Sequence, residues 1–148
     1  MPGARGLIRI LCVLGLCLPA VFSAAQGTAA GPDVRLSGVL ETTAAHPGST
    51  VRMAVVVTLG EGWHVNARKP LDDYLIPTVL EFHAADGVTV ARTAYPEPVS
   101  LSLEGSTEPL AVYGEEFVIG LELAVAPEAA PGAYTLEGTL QYQACDAK

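Results

Sequence analysis

Apolar side chains recur at every second position in five stretches of this chain, a period that fits half-buried β-strands and little else. The strongest stretch places Val51, Met53, Val55, Val57 and Leu59 on one face. Phe117, Ile119, Leu121, Leu123 and Val125 alternate with Glu116, Val118, Gly120, Glu122 and Ala124. Tyr134, Leu136, Leu140 and Tyr142 alternate with Thr135, Glu137, Thr139, Gln141 and Gln143. Thr78, Leu80 and Phe82 oppose Val79, Glu81 and His83, and Val34, Leu36 and Leu40 oppose Arg35, Ser37 and Glu41.

Turn-forming clusters separate these runs: His46-Pro47-Gly48-Ser49, Leu59-Gly60-Glu61-Gly62, Asp86-Gly87, Tyr95-Pro96-Glu97-Pro98 and Pro131-Gly132. Beyond the N-terminal segment, no window shows good helical periodicity. About seven short strands with regular turns predict an all-β, immunoglobulin-like antiparallel sandwich. Two polar stretches, Ala67 to Ile76 and Ser100 to Pro109, are expected to be loops. Loops on a rigid sandwich often carry function.

The N-terminus has a different pattern. Arg5 and Arg9 precede or enter an apolar run from Leu7 to about Phe22, followed by the small residues Ser23-Ala24-Ala25. This is the layout of a secretory signal, with cleavage expected after Ala25. The run holds Gly15 and Pro19 and is shorter than the roughly 20 apolar residues of a spanning helix. A lipoprotein signal would need a small residue before its cysteine, but Leu16 precedes Cys17 and Leu11 precedes Cys12. Residues 26–32 then read as a flexible leader and 33–148 as one domain. That size suffices for a single modest core. Cleavage removes two of the eight basic residues and leaves all 16 acidic ones. Such a surface disfavours nucleic acid and anionic lipid.

Cleavage would also remove Cys12 and Cys17, leaving Cys145 as the sole thiol. A lone cysteine in an exported chain can pair with another chain, react, or lie inert. If the last strand continues, Cys145 has the parity of the polar face and is accessible. The alternative is a small buried hydrophobe. Asp146 beside it would raise the thiol pKa and Lys148 would lower it, so the neighbours give no strong activation. His46, His64 and His83 show no recognised metal spacing, and no metal or cofactor is expected. His64 shares a strand face with Asn66, while Trp63 and Val65 take the other. Trp63 is expected in the core. A phosphate loop and a Gly-x-Ser-x-Gly motif are both absent from the sequence.

One ordered set of short motifs is more specific. It runs Gly62-Trp63-His64-Val65-Asn66, Tyr74-Leu75-Ile76-Pro77-Thr78, Tyr95-Pro96, Val112-Tyr113 and Tyr142-Gln143-Ala144-Cys145-Asp146. The set resembles the N-terminal periplasmic domain of the thiol:disulfide interchange protein DsbD, over roughly Val34 to the end. The resemblance implies an immunoglobulin-like sandwich with an exposed cysteine pair. In that family the domain takes electrons from a membrane-embedded partner domain and passes them to thioredoxin-like periplasmic proteins. Cys145 matches the first cysteine of the pair. His64, Asn66 and Asp146 are the candidate neighbours of that site. By position Ser100 to Pro109 matches the family's covering loop, although it lacks the aromatic side chain usual there.

The family's second cysteine lies a few residues further on, and the sequence stops at Lys148 before reaching it. Reversible exchange needs one sulfur to attack and another to resolve the mixed disulfide. The sequence is therefore expected to be cut short, with protein-disulfide reductase-type activity conditional on that second cysteine. The leading reading is a periplasmic thiol–disulfide exchange domain acting through Cys145. The alternatives are an exported, non-catalytic sandwich that binds protein, and a metal-binding sandwich using His64 with Met53 or Cys145.

Overall fold

The computed structural model describes residues 4–13, 32–83, 85–103 and 108–146. Eleven strands occur among them: β1 (Ala4–Val13), β2 (Arg35–Leu40), β3 (Thr50–Thr58), β4 (Trp63–Asn66), β5 (Val79–His83), β6 (Val88–Ala94), β7 (Val99–Leu101), β8 (Leu110–Tyr113), β9 (Glu116–Val125), β10 (Ala133–Tyr142) and β11 (Ala144–Asp146). They form three antiparallel sheets, ordered β2-β3-β9-β6, β11-β4-β8-β7 and β1-β10-β5. The protein is all-β, with a sandwich-like arrangement of sheets around a shared core.

Pairing of β3 with β9 sets that core. Their register puts Met53 opposite Leu121, Val55 opposite Ile119 and Val57 opposite Phe117. Two apolar faces of period two thus coincide residue for residue, and a slip of one position would turn both to water. Val55, Val57 and Ile119 have no exposed surface. Leu80, Leu136, Leu140 and Tyr142 come to the same cluster from β5 and β10, and Val65, Ala111 and Tyr113 from β4 and β8. All three sheets therefore share one core.

The turn clusters do the work their composition predicts. Gly48, Gly62 and Gly87 have φ of 78°, 77° and 82°, a left-handed conformation that side chains with a Cβ disfavour. Gly62 closes the turn into β4, where the Trp63 amide donates to the Gly60 carbonyl at 3.1 Å. Gly138 has a different duty. It sits opposite Phe82 in the β10–β5 ladder, and a Cβ there would meet the Phe82 ring at 3.1 Å.

One expectation changes. The stretch Ser100 to Pro109 is not simply a loop: Ser100 and Leu101 lie in β7 and pair with Ala111 and Leu110 of β8. A three-residue strand is too short to display a period, and β8 is buried or half-buried throughout, so neither alternates visibly. Residues 104–107 lie outside the described residues. The stretch Ala67 to Ile76 holds no strand, as expected.

The apolar N-terminal run, read from sequence as a secretory signal, pairs along β1 with the whole of β10, from Ala4 opposite Tyr142 to Val13 opposite Ala133. A β-branched and aliphatic segment satisfies the outer edge of β10 as well as it fits the apolar middle of a signal. The expected cleavage after Ala25 and the leader at 26–31 lie outside the described residues.

The parity of β9 is directly testable. Ile119→Ala should cost about 2–5 kcal/mol of unfolding free energy. Val118→Ala, at a neighbour 45% exposed on the outer face, should stay within about 0.5 kcal/mol. Urea unfolding of the two variants measures the contrast.

Candidate functional site around Cys145

The site is built where the chain changes sheets. β10 ends at Tyr142 with its side chain in the core, and β11 begins two residues later on a different sheet. Gln143, between them, replaces the lost ladder with its side chain. Its Oε1 accepts from Asn66 Nδ2 and from the Ile76 amide, each at 2.9 Å. Its carbonyl accepts from the Asn66 amide at 3.2 Å. Asn66 Nδ2 also donates to the Ile76 carbonyl at 3.1 Å, and Thr78 Oγ1 donates to the Asn66 carbonyl at 2.6 Å. Asn66 and Thr78 are almost wholly buried, so these bonds satisfy groups that water cannot reach. They fasten β4, the 67–77 loop and the root of β11 together.

β11 pairs with β4 in a fixed register: Ala144 opposite Val65, Cys145 opposite His64, Asp146 opposite Trp63. Ala144 and Val65 face the core. By alternation Cys145 and His64 share the other face. Directly opposed residues on antiparallel strands have Cβ atoms about 4.5–5.5 Å apart. The structure thus sets opposite each other two residues 81 positions apart in sequence.

Cys145 is a free, half-buried thiol on a strand that ends the order of its sheet. Burial pushes its pKa up, and the Asp146 carboxylate pushes it further in the same direction. The thiol is therefore held protonated at neutral pH. His64 is only 5% exposed, and its Nε2 is buried with no hydrogen-bond partner. Burial lowers the His64 pKa, and Asp146 opposes that shift more weakly. Asp146 itself is exposed. The pair rests as thiol and neutral imidazole.

The remaining candidates separate cleanly. Asn66 lies one row from Cys145 and has a holding role, with both of its side-chain donor bonds committed to Ile76 and Gln143. His46 and His83 are exposed and lie on other elements. Met53 is buried in the core. No cluster of three His, Cys, Asp or Glu able to hold a metal exists among the described residues. Trp63 is partly buried against the core. Two concavities, one under Thr42–Ala45 and one over the outer face of β3 and β9, are lined by residues other than Cys145 and His64.

Sequence reasoning passed over Gln143 and Thr78 as participants. Gln143 stood inside the motif that ends at Asp146, but its role depends on the Ile76 amide, which only the folded 67–77 loop delivers.

The family model described as "Thiol:disulfide interchange protein DsbD, N-terminal" matches residues 37–148. Comparison with curated proteins and with solved structures finds no match.

Two outcomes follow from this geometry. Gln143→Ala should cost about 1–3 kcal/mol, the penalty of stranding buried donors. It should also speed hydrogen exchange at the Ile76 amide while leaving the Val55 amide protected. The second concerns pH. The folded state holds His64 below its usual pKa of 6.5, so the unfolded chain binds the proton more readily. The stability this contributes is whole above pH 6.5 and falls as pH drops from there towards the lower folded value. Chemical unfolding between pH 7.5 and 5 should show that decline, and His64→Gln should flatten it.

Proposed function

The chain belongs to the DsbD N-terminal domain family, and from that premise we propose that it is a periplasmic thiol–disulfide exchange domain. It uses Cys145 to pass reducing equivalents to thioredoxin-like partners on an immunoglobulin-like sandwich. The observation that carries the reading is the placement of Cys145: a free thiol on a short strand at the end of a sheet, away from the core, beside an unpartnered buried imidazole. Such a sulfur is reachable by another protein. Two concavities among the described residues are lined by other side chains.

The chemistry is one half of an exchange. The Cys145 thiolate attacks one sulfur of a partner disulfide, and the other sulfur leaves as a thiolate. Resolving the mixed disulfide would take a second cysteine, which residues 33–148 do not contain, and a membrane electron-transfer domain would restore the reduced state. The export expected from the N-terminal run would fit the reading, because disulfides persist outside the cytoplasm.

A non-catalytic protein-binding module is the second reading, and one observation favours it. Leu71 and Tyr74 are 64% and 80% exposed on the 67–77 loop, whose Ile76 amide donates to Gln143. Large apolar side chains left in water suit a protein contact.

Trapping separates the two. A thioredoxin-like protein lacking its resolving cysteine, presented as a disulfide with a chromophoric thiol, should form a covalent adduct with the wild-type chain. Cys145→Ser should abolish the adduct. An adduct that persists in Cys145→Ser, or none with wild type but tight non-covalent binding, would favour the binding module.

A further inference from the structure

We infer that His64 is the proton acceptor for the Cys145 thiol, and returns that proton to the sulfur that leaves the partner disulfide. The inference rests on the redox reading above and adds a residue to its chemistry.

Three observations converge. First, the β11–β4 register puts Cys145 and His64 directly opposite each other on the face turned from the core. Second, the imidazole is 5% exposed and its Nε2 has no partner. Burying a polar atom without a partner costs about 1–3 kcal/mol, so a nitrogen left in this condition calls for a reason. The Cys145 sulfur is not hydrogen-bonded to it at rest either, but the register sets that thiol directly across the ladder, and taking up its proton during exchange supplies one. Third, the surroundings leave that nitrogen free to act. Asp146 is the charged group that acts on both His64 and Cys145. The nearby carboxylate of Glu115 is occupied by the Gly62 amide at 2.7 Å. Gln143, in the next row, is uncharged and engaged with Asn66 and Ile76.

The step balances as follows. The Cys145 S–H proton moves to His64 Nε2, giving thiolate and imidazolium. The thiolate forms a bond to one sulfur of the partner disulfide, and the partner S–S bond breaks. The departing sulfur takes the proton from Nε2–H. One thiol and one disulfide become one mixed disulfide and one thiol, with His64 neutral again. Asp146 stabilises the transient imidazolium, and its charge keeps the resting thiol protonated, so the sulfur is quiet until a disulfide is presented.

The pH dependence of Cys145 alkylation tests this without any partner. A lone thiol loses reactivity about tenfold per pH unit below its pKa, because the thiolate is the nucleophile. Thiol plus neutral imidazole carries the same total number of protons as thiolate plus imidazolium. Between the two ionisations, therefore, the rate through the pair should be flat with pH. Iodoacetamide labelling of the full chain is followed by mass on the peptide carrying Cys145, from pH 6 to 9.5. A plateau near neutral pH is expected in wild type, and about a tenfold or greater loss at pH 7 in His64→Gln. A wild-type profile that falls along a single line overturns the inference, whether or not His64→Gln folds. At pH 9.5, where the thiolate fraction is greatest in the range, mixed-disulfide trapping by wild type tests the redox reading separately. Trapping with a single-line profile removes only the role of His64, while failure to trap removes the redox reading itself.

Discussion

A three-residue strand contributes too few ladder bonds to hold itself in place, and the position of Cys145 depends on one. β11 stays on β4 because Gln143 anchors its root. The amide oxygen of Gln143 joins Asn66 of β4 to the Ile76 amide of the adjoining loop, and its carbonyl takes the Asn66 amide. Asn66 in turn is held by Thr78 at the entrance to β5, so the site is tied to the sheet that β10 leaves as well as to the one β11 joins. The arrangement explains why buried polar residues concentrate here. His64, Asn66 and Thr78 are the buried polar side chains of the described residues, and two of the three are spent on holding.

The legibility of the sequence follows from what each element needs. Long strands with one buried face must alternate, so β3, β9 and β10 could be read directly, and their core residues with them. β8 could not, because Ala111, Val112 and Tyr113 are all buried and leave no polar phase to mark a strand. β7 is too short to carry a period. The apolar run at the N-terminus carries two compatible signals, the hydrophobic middle of an export segment and a strand that fits the edge of β10. Composition alone does not choose between them.

The site divides the same way. The parity of β10 correctly placed Cys145 off the core, because the chain keeps its alternation across the sheet change at Gln143. That His64 and Asn66 share a face was also readable from their spacing. That His64, rather than Asn66, stands opposite the thiol depends on the β4–β11 register, which is long-range information. Register arises from which backbone groups meet, here set by Gln143, and no local pattern encodes it.

The electrostatics then distinguish this thiol from a strongly activated one. Burial and Asp146 both favour the protonated sulfur, and no cation among the described residues acts on it to reverse them. A permanently ionised cysteine would attack small disulfides indiscriminately in an oxidising compartment. In the proposed exchange, one kept neutral beside a neutral imidazole would react only as its proton has somewhere to go, when a disulfide sulfur is in line. Under the proposed function, selectivity for a docked protein disulfide would come from the same burial that makes the resting thiol slow, and the exposed Leu71 and Tyr74 of the 67–77 loop would offer apolar surface for the partner.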